Sequence, residues 1–430
     1  MNKFRWINTG LHAILYILFQ LSEKFARIQW VLSEALLMFQ FKILSKSEKS
    51  GARVGEVCTP HGVIKTPAFI FCATKASIKG VTIDHVKTSG SQIILSNTYH
   101  LLLQPGSQLV KAAGGLHKFV GWDGPIFTDS GGFQIFSLGY GGVSAEIKGA
   151  RQISGKKTLL KSTEEGAEFR SYIDGKTVIL TPELSIKTQV ELGADIIVSF
   201  DECTPYHVNK LYTANSMEKS KRWGLRSLIA FKAHGVKDQA LLAVVQGGVY
   251  EDLRKESAQF ANENDFHGFA IGGSLGRTTS QMRDVVQMTS EIIDKSRYVH
   301  LLGIGGIRDI FHGVKCGIDT FDCVSPTRIA RHGSAIVKVI ESITGEKQQL
   351  NLNNTVFKND FTSISASCDC YTCKNFSRAY IHHLLKAKES VAGTLISIHN
   401  IRTMNRLMDD IRSGITTNSL EDVYKDWCGH

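Results

Sequence analysis

Short apolar runs recur along this chain from residue 67, and most end in a polar residue or a pair of glycines. They read PAFIFCAT (67–74), SQIILSNT (91–98), PIFTDSGG (125–132), DIIVSFDE (195–202), LLAVVQGG (241–248), GFAIGG (268–273), HLLGIGG (300–306) and TFDCVSP (320–326). A strand with one wet face alternates apolar and polar residues. Continuous runs rich in Ile, Val and Phe suit a parallel sheet covered on both faces. Most intervals are long enough for a crossover helix, as in SMEKSKRWGLRSLIAFKAHG and TTSQMRDVVQMTSEIIDKS. Eight such strands predict an α/β fold, a (β/α)8 TIM barrel.

The interval 133–194 exceeds one crossover. Within it, AEFRSYIDGKTVILTPE joins two alternating runs through Asp174-Gly175, a hairpin signal, and reads as an insertion on the barrel's working face. Past residue 345 the barrel pattern fades. A C-terminal subdomain over 346–430 is expected, carrying a cysteine cluster and a helical FSRAYIHHLLKAKES. At the other end, residues 1–37 look foreign to the rest. Leu11 to Leu21 is apolar behind Lys3 and Arg5, yet no small-residue cleavage site follows and the run is too short to span a bilayer. MFQFKILSKSEKSGARVGEV, opening at Met38, reads as an N-terminal strand and turn. The upstream segment therefore reads as a gene-start artefact, with a membrane-targeting helix as the rival, and the barrel domain spans 38–345.

Composition adds two constraints. A chain of 430 residues, 43% hydrophobic, can bury a large core, and its net charge of +10 favours a polyanionic partner such as nucleic acid. Nine cysteines, most of them scattered through apolar segments, suit a reducing cytoplasm and argue against a disulfide framework.

In a barrel of this type the active site collects at the C-terminal ends of the strands. Those ends carry Asn97, Asp129, Asp201 with Glu202, Gln246, Gly272-Gly273, Gly303 and Asp322. In TDSGGFQ the glycine pair lets backbone approach a ligand, and Phe133 can stack on a flat ring. Asp129 and Asp322 on one rim can act as general acid/base and nucleophile at a sugar's anomeric carbon. Asp201 and Gln246 form a donor–acceptor set able to read a purine-like edge. A carbohydrate-active barrel would use such a carboxylate pair too.

TPHGVIKTPAF, LSNTYHL, TDSGGFQ, FDECTPY, VVQGG, FDCVSPTR and the cysteine cluster, in this order, resemble the tRNA-guanine transglycosylase (queuine tRNA-ribosyltransferase) family, bacterial type, from about Met38 to the C-terminus. The resemblance implies base exchange at the tRNA wobble position. Asp322 would be the nucleophile and Asp129 the general acid/base, with guanine replaced by a 7-deazaguanine through a covalent aspartyl-ribose intermediate. The base site it implies comprises Asp129, Ser130, Phe133, Asp201, Cys203, Gln246, Gly272, Gly273 and Leu302. Phe133 and Leu302 stand where bacterial members more usually carry Tyr and Met. Two segments would contact tRNA. One is Gly303, Ile304, Gly305, Gly306, Ile307, Arg308 and Asp309, the other Thr327, Arg328, Ile329, Ala330 and Arg331. Ile307-Arg308 replace a more usual Pro-Glu or similar pair. Gly276 stands where bacterial members tend to have valine and eukaryotic members, which take the bulkier queuine, have glycine. Cys203 is the bacterial-type residue. The base is thus 7-aminomethyl-7-deazaguanine by family type, or queuine by the room at Gly276. A homodimer is also implied. A non-catalytic RNA-binding subunit of the same fold is the alternative, and the presence of both Asp129 and Asp322 argues against it.

Cys368, Cys370 and Cys373 have thiolate spacing for zinc. From the residues alone the fourth ligand could be His382, His383, His399 or Cys428. The family spacing, 26 positions beyond the third cysteine, implies His399. Such a closed Cys3His set makes the Zn2+ structural.

Overall fold

The computed structural model describes residues 39–140, 159–273, 275–342, 345 and 348–429. Residues 1–37, and with them the start-site reading, lie outside the described residues. The chain opens with an antiparallel sheet of β1 (Gln40–Lys46), β2 (Arg53–Thr59) and β3 (Gly62–Thr66). The barrel strands are then β4 (Ala68–Cys72), β5 (Ile94–Ser96) and β6 (Ile126–Thr128). A second antiparallel sheet follows, of β7 (Leu159–Ser162), β8 (Ala167–Arg170) and β9 (Thr177–Leu180). The barrel resumes with β10 (Ile196–Val198), β11 (Ala240–Val245), β12 (Gly268–Ile271), β13 (Tyr298–Leu301) and β14 (Thr320–Cys323). These eight strands pair in parallel, in chain order, and close from β14 back to β4: a TIM barrel.

The apolar runs are continuous because both faces are covered. Ile70, Leu95, Phe127, Ile196, Val198, Leu242 and Ala270 fill the interior. Their neighbours Phe69, Phe71, Ile94, Ile126, Ile197, Leu241, Ala243, Phe269 and Ile271 pack outward under the helices. Val57 and Ile64, from the opening sheet, join the interior cluster. Arg53 on β2 forms a buried ion pair with Asp319, which heads β14, through bonds of 2.8 and 2.5 Å. His61 in the β2–β3 turn and His117 hydrogen-bond the two oxygens of Asp195, at 2.7 and 3.1 Å, just before β10.

The hairpin at Asp174-Gly175 is present as β8–β9, and β7 adds a strand the sequence did not announce. The helix Pro182–Leu192, capped by Thr181, is the crossover into β10. Phe169 and Leu180 of the inserted sheet pack with Tyr99, Phe200 and Trp223, residues that follow the ends of β5 and β10 or cover them.

Beyond the barrel, β15 (Ser334–Ile336) pairs with β16 (Gln349–Asn351). The long helix Val391–Thr416 serves two cores. Leu395 and Ile396 pack with Leu350, Phe357 and Ile381. Ile398, Ile401, Met404, Leu407 and Met408 belong to the outer barrel core. Its Asn405 also donates to Ser89 O at 2.8 Å, behind β5.

Candidate active site

Asp129 follows β6 directly, half-buried, and its carboxyl is held by the neighbouring strand end. Oδ1 accepts from Thr98 N at 2.8 Å. Oδ2 accepts from Asn97 Nδ2 and, at 2.6 Å, from Gln134 Nε2. Burial pushes this carboxyl up to about 6, against those hydrogen bonds, and the charge of Asp322 adds to the rise. Gly132 is required for close approach, since a Cβ there would overlap the Asp201 carbonyl oxygen.

A second constellation runs along the ends of β6, β10, β11 and β12. Asp201 Oδ1 accepts from Ser130 Oγ at 2.9 Å and Oδ2 from Gln246 Nε2 at 2.6 Å. Burial lifts Asp201 to about 6, with Glu202 contributing repulsion. Gln246 Oε1 is buried and meets no hydrogen-bond donor among the described residues. Gly273 has φ +82°, and a Cβ on it would overlap that same oxygen. Side chains at Gly272 would press on Val244 and Leu302. Arg254, fully buried, donates to Gly248 O (2.7 Å), Val245 O (2.9 Å) and Gly272 O (2.9 Å), tying the ends of β11 and β12 together. Phe133 leaves 46% of its surface exposed, as a stacking face for a flat ligand would. Leu302 is half-buried against the barrel interior, and Cys203 is half-buried beyond Glu202.

Asp322 lies on β14, 8% exposed. Its Oδ1 accepts from Gly303 N at 2.8 Å and lies 3.2 Å from His300 Nε2. Oδ2 meets only the Cys72 thiol, at 3.7 Å, among the described residues. One oxygen is held and the other is open.

The two expected RNA segments do not present all their side chains. Ile307 is buried in the outer core, and Thr327 and Ala330 lie on the buried face of the helix Ser325–Ala330. Burial of these three side chains leaves their backbone as what they can offer a ligand. Arg308 Nη2 donates to Cys428 O at 2.6 Å and Nη1 to Tyr424 Oη at 3.1 Å, so a phosphate there would compete with the C-terminal helix Leu420–Cys428. Asp309 pairs with Arg283 at 2.8 Å. Arg331 donates to Thr327 O at 2.9 Å, whereas Arg328 is exposed. Ile304, Gly305 and Ile329 are half-buried, and Gly303 and Gly306 are exposed. Gly276 has φ +112°, and a Cβ on it would crowd the Gln281 side chain, so the turn before Thr279–Ile292 already requires glycine.

Cys368, Cys370, Cys373 and His399 bring one ligand atom each within 4.8 Å of all the others. His399 Nδ1 is 3.3 Å from Cys373 Sγ and 3.8 Å from Cys370 Sγ. A tetrahedral zinc-sized ion bonded at about 2.3 Å to sulfur and about 2.0 Å to nitrogen sets S···N edges of roughly 3.5 Å, between those two values. His399 Nε2 lies 2.9 Å from Ile336 O, a partner that fixes the tautomer leaving Nδ1 for the metal. His382 instead bonds Leu352 O at 2.8 Å, and the Cys428 thiol faces Gln348. The donor set can hold one metal ion. None of the nine cysteines is disulfide-bonded, and no described helix is long and apolar enough to cross a membrane.

Sequence reasoning passed over His300, Cys72, Gln134, Thr98 and Arg254. The only available signal was a histidine inside the otherwise apolar YVHLL of β13.

The family model described as "Queuine tRNA-ribosyltransferase" matches residues 47–430. Proteins of that name are similar over most of their length. The one from Roseiflexus sp. (strain RS-1) is 46% identical over 399 residues, covering 90% of this chain and 99% of its own. That from Thermoanaerobacter sp. (strain X514) is 44% identical, covering 90% and 96%. The Protochlamydia amoebophila (strain UWE25) protein is 44% identical, covering 88% and 95%. With this match and this barrel, the chain belongs to the queuine tRNA-ribosyltransferase family of enzymes.

Proposed function

We propose that this chain replaces guanine at the tRNA wobble position with a 7-deazaguanine, through an ester between Asp322 and the ribose. The observation that carries the reading is the carboxyl pair. Asp322 has one oxygen held and one open, and Asp129 is poised to stay protonated near pH 6. Asp322 Oδ2 attacks C1′ of the flipped-out nucleotide, the C1′–N9 bond breaks, and the departing guanine takes the Asp129 proton. The incoming base then attacks C1′ from the vacated side. The ester bond breaks, Asp322 leaves as carboxylate, and Asp129 accepts the proton released by the base.

Asp201, Gln246 Oε1 and the Gly272-Gly273 backbone supply donors and acceptors for the base's edge, with Phe133 and Leu302 on its faces. Backbone of the Gly303–Asp309 and Thr327–Arg331 segments, with Arg328, faces phosphate. Zinc would be held by Cys368, Cys370, Cys373 and His399; with four protein ligands it has no open position and acts as a structural brace. The glycine at position 276 has a backbone reason of its own, which favours the aminomethyl base over queuine. A homodimer belongs to the same reading, tested by light scattering of the purified chain.

The test of function is incorporation of labelled guanine into undermodified tRNA by the purified protein. Exchange is expected. Binding of tRNA without exchange would favour a non-catalytic RNA-binding subunit.

A further inference from the structure

A buried chain of polar groups runs through the barrel interior to Asp322 and belongs to neither the base-edge set nor the metal cluster. Tyr298 and His300 lie two apart on β13, and Thr320 and Asp322 two apart on β14. Each pair therefore faces the same side, and His300 registers opposite Thr320. Tyr298, His300 and Thr320 are fully buried. Tyr298 Oη hydrogen-bonds Thr320 Oγ1, Thr320 Oγ1 lies 2.8 Å from His300 Nδ1, and His300 Nε2 lies 3.2 Å from Asp322 Oδ1. Phe127 packs on the imidazole with ring centroids 4.6 Å apart.

The chain has a direction. An ionised carboxylate only accepts, so His300 must carry its proton on Nε2. The neutral ring then accepts at Nδ1, which makes Thr320 the donor to it, and the Thr320 oxygen is left to accept from Tyr298. Burial raises the Tyr298 phenol well above its ordinary value, so it remains a donor. Every proton points towards Asp322.

We propose that His300, fixed in its Nε2–H tautomer by Thr320 and Tyr298, is a positioning residue. With Gly303 N it holds Asp322 Oδ1 and leaves Oδ2 to attack. The proposal rests on the reading of Asp322 as nucleophile. The other titratable groups near this pair are Cys72, Cys323 and Asp129 around Asp322, and Asp319 beside Tyr298. Cys72 and Cys323 are pushed up by burial and stay neutral, so they do not replace the His300 contact.

The experiment is single-turnover formation of the covalent protein–tRNA adduct at about pH 7. A lost hydrogen bond to a charged group predicts that His300→Phe forms adduct about tenfold more slowly or worse. His300→Gln, whose amide can donate to Oδ1, should recover most of the rate. Apparent affinity for free guanine should not change. A wild-type rate in His300→Phe would overturn the proposal, as would a Gln variant no better than Phe. If His300→Phe does not fold, Thr320→Val decides. It leaves the ring in place but removes the tautomer lock, and a wild-type rate of adduct formation there overturns the proposal. An adduct formed by Asp322→Asn would instead overturn the nucleophile assignment.

Discussion

Replacing Asp201 by Asn should stabilise the protein at neutral pH while weakening base binding. Burial places the Asp201 carboxyl at about 6, above the ordinary 3.8. Between those values the folded state holds a proton that the unfolded chain has released, so stability falls as pH rises through that window. Below about pH 3.8 both states are protonated and the effect vanishes. Above about pH 6 both are ionised and the full cost applies. The difference of roughly two pH units corresponds to about 3 kcal/mol at 1.36 kcal/mol per unit. The substitution fits its surroundings. The Asn oxygen can accept from Gln246 Nε2 and its amide can donate to a reoriented Ser130 hydroxyl. Urea unfolding of both proteins from pH 4 to 7.5 reads this directly. The variant should match wild type near pH 4 and gain about 3 kcal/mol by pH 7, with a raised KM for guanine because one acceptor has become a donor. A difference independent of pH, or a variant less stable at pH 7.5, would refute the reasoning.

Gly273→Ala should push Gln246 off the base edge and raise KM for guanine at least tenfold, about 1.4 kcal/mol, with the melting temperature only slightly lowered. Steady-state kinetics beside a thermal melt separate the two. At Asp195, burial is outweighed by hydrogen bonds from His117, His61 and Ile126 N, which hold its carboxyl below the ordinary value. That contribution is present above about pH 3.8 and is lost as pH falls through the lower folded value. Asp195→Asn should therefore cost about 1–3 kcal/mol at pH 7 by urea unfolding, and less in acid. Treatment with a chelator, or His399→Ala, should empty the Cys3His site, read as loss of the metal that elemental mass spectrometry finds in the untreated protein. Amide exchange should then rise over 368–400 while the barrel strands stay protected.

The barrel was legible because its strands are buried on both faces, so AFIFC or ALLAVV leaves no alternation to misread. Asp129, Asp201, Gln246 and Asp322 were legible for a related reason: each stands where an apolar run stops. The supporting residues were not. Arg254 sits in EDLRKESAQF among charged neighbours that face solvent, and nothing in that string marks the one that turns inward. His61, His117 and Asp195 come from three distant segments, and only closure of the barrel bottom joins them. The bonds of Arg308 could not be read from the sequence because its partners, Tyr424 and Cys428, lie more than a hundred residues away. The fourth metal ligand was left among several candidates by the residues alone and assigned to His399 by the family spacing; the helix Val391–Thr416 carries it to the thiols, while His382, on the helix Arg378–Lys386, bonds Leu352 O instead.

The central claim is that Asp322 becomes esterified to the ribose. It is tested most directly by trapping the protein–tRNA adduct, digesting both polymers, and locating the ribose-bearing peptide by mass spectrometry. The modification should fall on Asp322 within TFDCVSPTR and disappear in Asp322→Asn. A ribose mapped to Asp129, or exchange that proceeds through no adduct at all, would contradict it.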